Sequence, residues 1–581
     1  MQRQTARYAH TRRRLVCVWL LGGLFSLGCE AGAPPGAAKS DDFRPDDPYA
    51  TAQPDSLATP CTFDLASGVM TVTVASGETA LIARRATDSA ITQNGDTCSN
   101  IARASSVKAL HINADSGDST VIVSFANGVF AAGSATSAGS GITVDMGGSA
   151  GSDVFELVGT SGNDTVTMGT HGIGVNTDTV ADIVFVHNEA DSYTLSLGAG
   201  NDAWTSDGGY GTGSTYAGGK PIAVYGGTGK DTFDEGASIT PNEEIHGEGD
   251  IDTVSFTKRT ASHPVTVTLG GSNGDDGDNG GEADDIVDAD VLVGGAGDDT
   301  MTAAAGVAVT MNGGKGDDTL TGDSAADVLN GEAGDDTLAG GDGNDTLSGG
   351  DGNDTFDEGT ASNGSDVFNG GTGVDTVDYS RRSGGVGVKI TMDGLAANDG
   401  EAGTEGDNVK SDVENAFGTD YADEITGNVS ANRIKGGRGN DKLSGGDNDD
   451  VFDEGADLSG GDHDSDVIVG GKGMDTVDYS GRSDDLTIIL DATADSGDQS
   501  VSPKEADSLD CENATGGQGV NTITGNAAAN WLMGGPSNDV IHGGDGDDTL
   551  DGGGGDDTLD GGNGADICFN GGSGDRLACE L

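Results

Sequence analysis

The sequence predicts an all-β solenoid, and three observations carry that reading. Glycine-aspartate nonapeptides recur in one register, short apolar alternations lie between them, and no stretch beyond the first 30 residues shows the periodicity of a long amphipathic helix. Composition narrows the function classes before any motif does. Of 581 residues, 34% are hydrophobic and 4% aromatic against 103 glycines, which excludes a large conventional core. The 98 acidic and 28 basic side chains leave a formal charge of −70, which repels nucleic-acid phosphates and anionic membrane surfaces and attracts cations. A chain this acidic and this poor in aromatics stays disordered unless something besides apolar burial offsets its conformational entropy.

The N-terminus reads as an export signal over residues 1–28. Arg3, Arg7 and Arg12 to Arg14 precede an apolar stretch from Leu15 to Leu27, shorter than the ~20 residues that span a bilayer. Ser26-Leu27-Gly28-Cys29 resembles the bacterial lipobox, which implies lipidation of Cys29 and a lipid anchor as the chain's attachment to a membrane. Ser26 stands where that pattern has leucine, so cleavage by the ordinary signal peptidase is the alternative. The expected location is the outer membrane or cell surface as a lipoprotein, or the extracellular medium as a secreted protein. Residues 29–60 hold six of the eleven prolines and no apolar periodicity, as in a tether. Export implies an oxidising compartment, and sequence proximity favours disulfides Cys61–Cys98 and Cys568–Cys579, with Cys511 left over.

Residues 61–225 form an N-terminal β-rich domain in this reading, with strands such as Met70 to Val74, Val121 to Val123 and Ile142 to Val144. Residues 226–312 form a first, degenerate repeat module. From Gly313 the chain reads GGKGDDTLT, GDSAADVLN, GEAGDDTLA, GGDGNDTLS, GGDGNDTFD, placing Asp318, Asp327, Asp336, Asp345 and Asp354 at equal intervals within the module 313–415. Asp423, Asn432, Asp441 and Asp450 repeat the spacing in 416–512, and Asn521, Asn530, Asp539, Asp548, Asp557 and Asp566 in 513–581. A longer duplication encloses these blocks: FDEG begins at Phe233, Phe356 and Phe452, and DTV follows at Asp252, Asp375 and Asp475.

Each nonapeptide divides into a six-residue turn and a three-residue strand. Glycines at its first, second and fourth positions permit positive φ, letting carbonyl groups turn inward beside the sixth-position carboxylate. The eighth residue (Leu320, Leu329, Leu338, Leu347 or Phe356) faces a thin apolar interior. Stacked turns offer oxygen alone, which suits calcium; magnesium gives up its water reluctantly. The candidate ligands are the carboxylates of Asp299, Asp318, Asp336, Asp345, Asp354, Asp441, Asp450, Asp539, Asp548, Asp557 and Asp566. Carbonyls of Gly313, Gly314, Gly316, Gly340, Gly341, Gly343, Gly543, Gly544 and Gly546 join them, for several Ca2+ ions in all. Aligned aspartates repel without the ion, so binding and folding are expected to be one process.

These turns resemble the RTX, or haemolysin-type, calcium-binding repeat. The resemblance implies a parallel β-roll in which successive nonapeptides make opposite sides of a right-handed coil and each calcium lies between turns two repeats apart. It would pair Asp318 with Asp336, Asp336 with Asp354, Asp539 with Asp557, and Asp548 with Asp566. The turns beginning at Gly322, Gly427 and Gly525 lose their second and fourth glycines, and Asn432, Asn521 and Asn530 supply a neutral oxygen, so weak or vacant sites are expected there.

Blander readings fit these residues less well. A flexible acidic linker needs neither the nine-residue register nor the apolar eighth position. Gly147 to Gly151 and Gly270 to Gly274 satisfy G-x-S-x-G without a strand-turn-helix context, no H-E-x-x-H occurs, and His542 reads as an exposed solenoid position. Asp275 to Asp285 lacks the spacing of an EF-hand. The expectation is a surface-exposed structural or adhesion-type protein, stiffened by calcium, that meets surface polysaccharide or another cell's surface and has no nucleic-acid partner. The alternative is a secreted enzyme, such as a β-solenoid polysaccharide lyase or hydrolase, for which Arg381, Arg382 and Lys389 come nearest to the required basic cluster.

Overall fold

Each repeat strand alternates as its sequence demands: in Thr319-Leu320-Thr321 the leucine is fully buried and the threonines face outward. A computed structural model describes residues 61–579 apart from intervals within 65–220 and the stretches 238–242, 271–275, 279–283, 396–397, 402–404, 456–463, 501–503, 570, 572–573 and 575. Residues 1–60, with Cys29 and the segments read from sequence as signal and tether, therefore lie outside the described residues, as do Cys98, Gly147 to Gly151 and Gly271 to Gly274.

The fold is an all-β parallel β-roll, and no helix occurs among the described residues. Leu320 pairs with Leu338 and Leu338 with Phe356 in one sheet, while Leu329 pairs with Leu347 and Leu347 with Phe368 in the facing one. Successive nonapeptides thus alternate between two faces, and their eighth residues meet in a continuous apolar core that runs from Met70 to Leu559. One buried apolar residue per turn keeps that core thin.

The faces are replaced in relay. A 16-stranded sheet runs from Cys61–Asp64 to Asn408–Val409, faced first by a nine-stranded sheet that ends at Asp285–Asp288. A 15-stranded sheet beginning near Val265–Thr268 takes over and continues to Ile567–Phe569. Two six-stranded sheets then face it in turn, one from Val388–Thr391 to Ser508–Asp510 and one from Leu486–Ile489 to Arg576–Ala578. The strand Ile222–Thr228 crosses the place where the sequence divides an N-terminal domain from the repeats, and it pairs in parallel with strands on both sides.

The three handovers share one construction. After each DTV comes an aromatic residue and, three positions on, an arginine: Phe256 with Arg259, Tyr379 with Arg382, Tyr479 with Arg482. Tyr379 Oη donates to Asp407 Oδ2 at 2.8 Å, and Tyr479 Oη to Asp507 Oδ2 at 2.7 Å. Arg382, buried, pairs with Glu358 at 2.6 Å and with Glu405, and Arg482 grips Glu505 with both terminal nitrogens. Ions removed from water this way survive only when paired and hydrogen-bonded. Cys511 is buried without a disulfide, and burial pushes its thiol up. Cys568 and Cys579 are joined by a disulfide whose Cα atoms lie 6.1 Å apart.

Candidate metal centre

The turn is built by two different demands on glycine. At the second and fourth positions the backbone is left-handed, with φ of 113° and 112° at Gly314 and Gly316, 88° and 154° at Gly341 and Gly343, and 114° and 124° at Gly544 and Gly546. The first-position glycines, Gly313, Gly340 and Gly543, do not have positive φ, contrary to the expectation from sequence. Their reason is steric: a methyl group on them would collide with Oδ2 of Asp318, Asp345 and Asp548. The glycine at position one makes room for the carboxylate at position six.

That carboxylate links coils. The N–H of Asp318 donates to Asp336 Oδ1 at 2.7 Å, and that of Asp336 to Asp354 Oδ1 at 2.9 Å. Asp539 donates likewise to Asp557 at 2.8 Å and Asp548 to Asp566 at 3.0 Å, so all four pairs named from the resemblance stand in direct contact. The ladder also takes in residues that the nine-residue spacing passes over. Asp345 donates to Asp366, Asp354 to Asp375, Asp441 to Asp466 and Asp450 to Asp475, across 21 or 25 residues where the strict step is 18. Lengthened turns hide them, although each keeps the signature of Asp two residues before a buried apolar side chain.

One oxygen of each regular turn is left over. Oδ2 of Asp318, Asp336, Asp345, Asp354, Asp441, Asp450, Asp539, Asp548 and Asp566 is buried without a hydrogen-bond donor, as is Oδ2 of Asp366, Asp375 and Asp475. A buried carboxylate oxygen with nothing to accept is costly. Burial, reinforced by neighbouring aspartates and partly offset by the ladder hydrogen bond, pushes Asp318 and Asp441 up to about 8 and Asp450 to about 7. Asp336, Asp345 and Asp539 rise to about 6 for the same reason.

Asn521 shows what belongs beside that oxygen. Its side-chain nitrogen donates to the carbonyls of Gly517, Gly519 and Gly534, each at 3.0 Å, and to Asp539 Oδ1 at 3.1 Å. Four oxygens from two successive coils thus converge on one NH2 group, whose hydrogens carry the positive polarisation, at positions two and four of one turn and one and six of the next. The other degenerate turns are satisfied without an ion: Asp327 Oδ2 accepts from the N–H of Asp323 in its own turn, and Asn432 and Asn530 donate to the carbonyls of Glu414 and Glu512 in the coil before. Asp299 departs from the regular turns too, since its carboxylate accepts from the N–H groups of Val265 and Gly295. His542 is exposed on the outer face.

The architecture and its turns define a class of protein, the parallel β-roll with oxygen-lined turns between coils. Among protein families, the RTX calcium-binding nonapeptide repeat matches at residues 310–338, 331–359, 356–380, 417–452, 515–550, 533–568 and 542–577, well under half of the chain. A search of the curated proteins gave no match. The chain is therefore a repeat protein containing RTX repeats, which imply calcium as its ligand.

Proposed function

We propose that calcium ions are held between successive coils, each by the Oδ2 of one sixth-position aspartate, the carboxylate below it and the surrounding turn carbonyls, and that their binding is coupled to folding. The observation that carries this reading is the row of buried Oδ2 atoms without donors, set against Asn521, where an amide nitrogen fills the equivalent position. An oxygen-only, carbonyl-rich set suits a hard ion of flexible coordination. The ligand carboxylates are Asp318, Asp336, Asp345, Asp354, Asp441, Asp450, Asp539, Asp548, Asp557 and Asp566, joined by Asp366, Asp375, Asp466 and Asp475; Asp299, hydrogen-bonded to backbone on both sides, drops out.

On this reading the protein is an exported, surface-displayed structural or adhesion-type solenoid, held by a lipid at Cys29 and meeting polysaccharide or another cell's surface. The formal charge of −70 and the export signal read over residues 1–28 support it. The lyase alternative loses its basic cluster, because Arg382 is buried in ion pairs and Arg381 is paired with Asp357 at 2.8 Å. Calcium titration of the full chain by calorimetry tests the ion assignment. Asp548→Ala should lower the number of ions bound; an unchanged number would refute it.

A further inference from the structure

The carboxylate ladder begins well before the first family match at residue 310. The N–H of Asp202 donates to Asp231 Oδ1 at 2.8 Å, and that of Asp231 to Asp252 Oδ1 at 2.9 Å, the same inter-coil bond as in the repeats. The strands that follow are in register, Trp204 on Phe233 and Phe233 on Val254, so the turns lie one above another. The steps are 29 and 21 residues, which is why a nine-residue spacing does not reveal them.

The turn 226–231 reproduces each feature of a regular turn. Gly227 and Gly229 hold φ of 106° and 131°. A methyl group on Gly226 would collide with Asp231 Oδ2 and lie 2.9 Å from the carbonyl oxygen of Gly247, which places that carboxylate oxygen toward the gap between the two coils. Asp231 is 1% exposed and its Oδ2 has no donor. In the turn below, a methyl on Gly247 would meet Asp252 in the same way.

That lower turn carries a second signal. Its positions two and four, glycine in most of the regular repeats, are Glu248 and Asp250, at φ of 75° and 68°, where the regular turns replace at most one of the two, as at Glu332 or Asn448. Residues with side chains resist this conformation, and here two acids accept it at the rim of the gap. Asp250 Oδ2 reaches across to accept from the N–H of Gly229 at 3.2 Å, so the rim joins the same two coils. Two further carboxylates beside the buried pair deepen the negative potential that draws a cation in.

We propose that a calcium ion is held between turns 226–231 and 247–252, by Asp231 Oδ2, the Asp252 carboxylate and the carbonyls of Gly227, Gly229 and Gly247, the positions equivalent to the four acceptors of the Asn521 amide and the carboxylate it replaces. The site rests on the calcium reading of the repeats and extends it into a region outside the family match. It makes the N-terminal half of the solenoid responsive to the same ion.

Hydrogen exchange of the full chain with calcium and with chelator, read by mass spectrometry, tests it together with bound-calcium measurement. With calcium, exchange in Thr232–Asp234 and Thr253–Ser255 should slow by at least about tenfold, since a ligand that binds the closed state suppresses opening. Asp231→Asn should abolish the calcium-dependence of that protection and reduce the bound calcium, while calcium-dependent protection of Thr549–Gly553 persists. Wild-type protection confined to residues beyond 310, or an Asp231→Asn chain with undiminished protection and calcium, would overturn the site. A chain that binds no calcium anywhere would instead overturn the reading of the repeats.

Discussion

Asn521 and Asp318 hold the same place in their turns and meet its electrostatics in opposite ways: the amide supplies its own positive end, and the carboxylate leaves an oxygen bare. Asp318→Asn should therefore stabilise the metal-free protein, by about 1 kcal/mol for the hydrogen bonds gained, while reducing the calcium bound. Thermal unfolding in chelator and a calcium titration of the same variant check the two effects. At position one the demand is for space. Gly331→Ala should cost about 1 to 3 kcal/mol even with calcium present, because the added methyl meets the Asp336 carboxylate. The sixth-position aspartates were legible in the sequence because their spacing is fixed. The two roles of glycine were not, since a residue demanded by φ and one demanded by a neighbour's oxygen look the same in a string of letters.

At the level of elements, the handovers between sheets depend on buried charge. Removing Arg382 leaves Glu358 and Glu405 without their cation in the interior, so Arg382→Met should cost on the order of 3 to 5 kcal/mol in denaturant unfolding with calcium saturating. Tyr479→Phe removes one hydrogen bond, to Asp507, and should cost about 1 kcal/mol, the difference nature has already made at Phe256. FDEG and DTV announced the duplication in the sequence. The acids that complete the handovers at Arg382 and Arg482, Glu405 and Glu505, could not be read there, because partners 23 residues apart are joined by an insert whose fold no local pattern dictates. Asp366 and Asp466 were hidden by the same lengthened turns.

Across the whole molecule, thin apolar packing and long columns of carboxylates pull in opposite directions. The alternating strands of residues 61–225 were legible as β-structure, but their place in the same stack was not, because the coils there are long and unequal. The columns also fix how stability depends on pH. Asp318, Asp441 and Asp450 are raised to between about 7 and 8 from an ordinary value of 3.8, so the folded metal-free chain holds protons that the unfolded chain releases. Its stability from these groups is full below the ordinary carboxylate range and is lost as pH rises through about 6 to 8. Tm in chelator should fall over that window, and calcium affinity should rise over it as protons cease to compete with the ion; scanning calorimetry and titration at several pH values check both. The most direct measurement is circular dichroism with scanning calorimetry of the full chain near pH 8, with calcium, after chelation and after calcium is restored. A strand signal and a Tm that fall steeply on chelation and recover when the ion is restored are predicted. An unchanged spectrum and Tm in the metal-free protein would contradict the account.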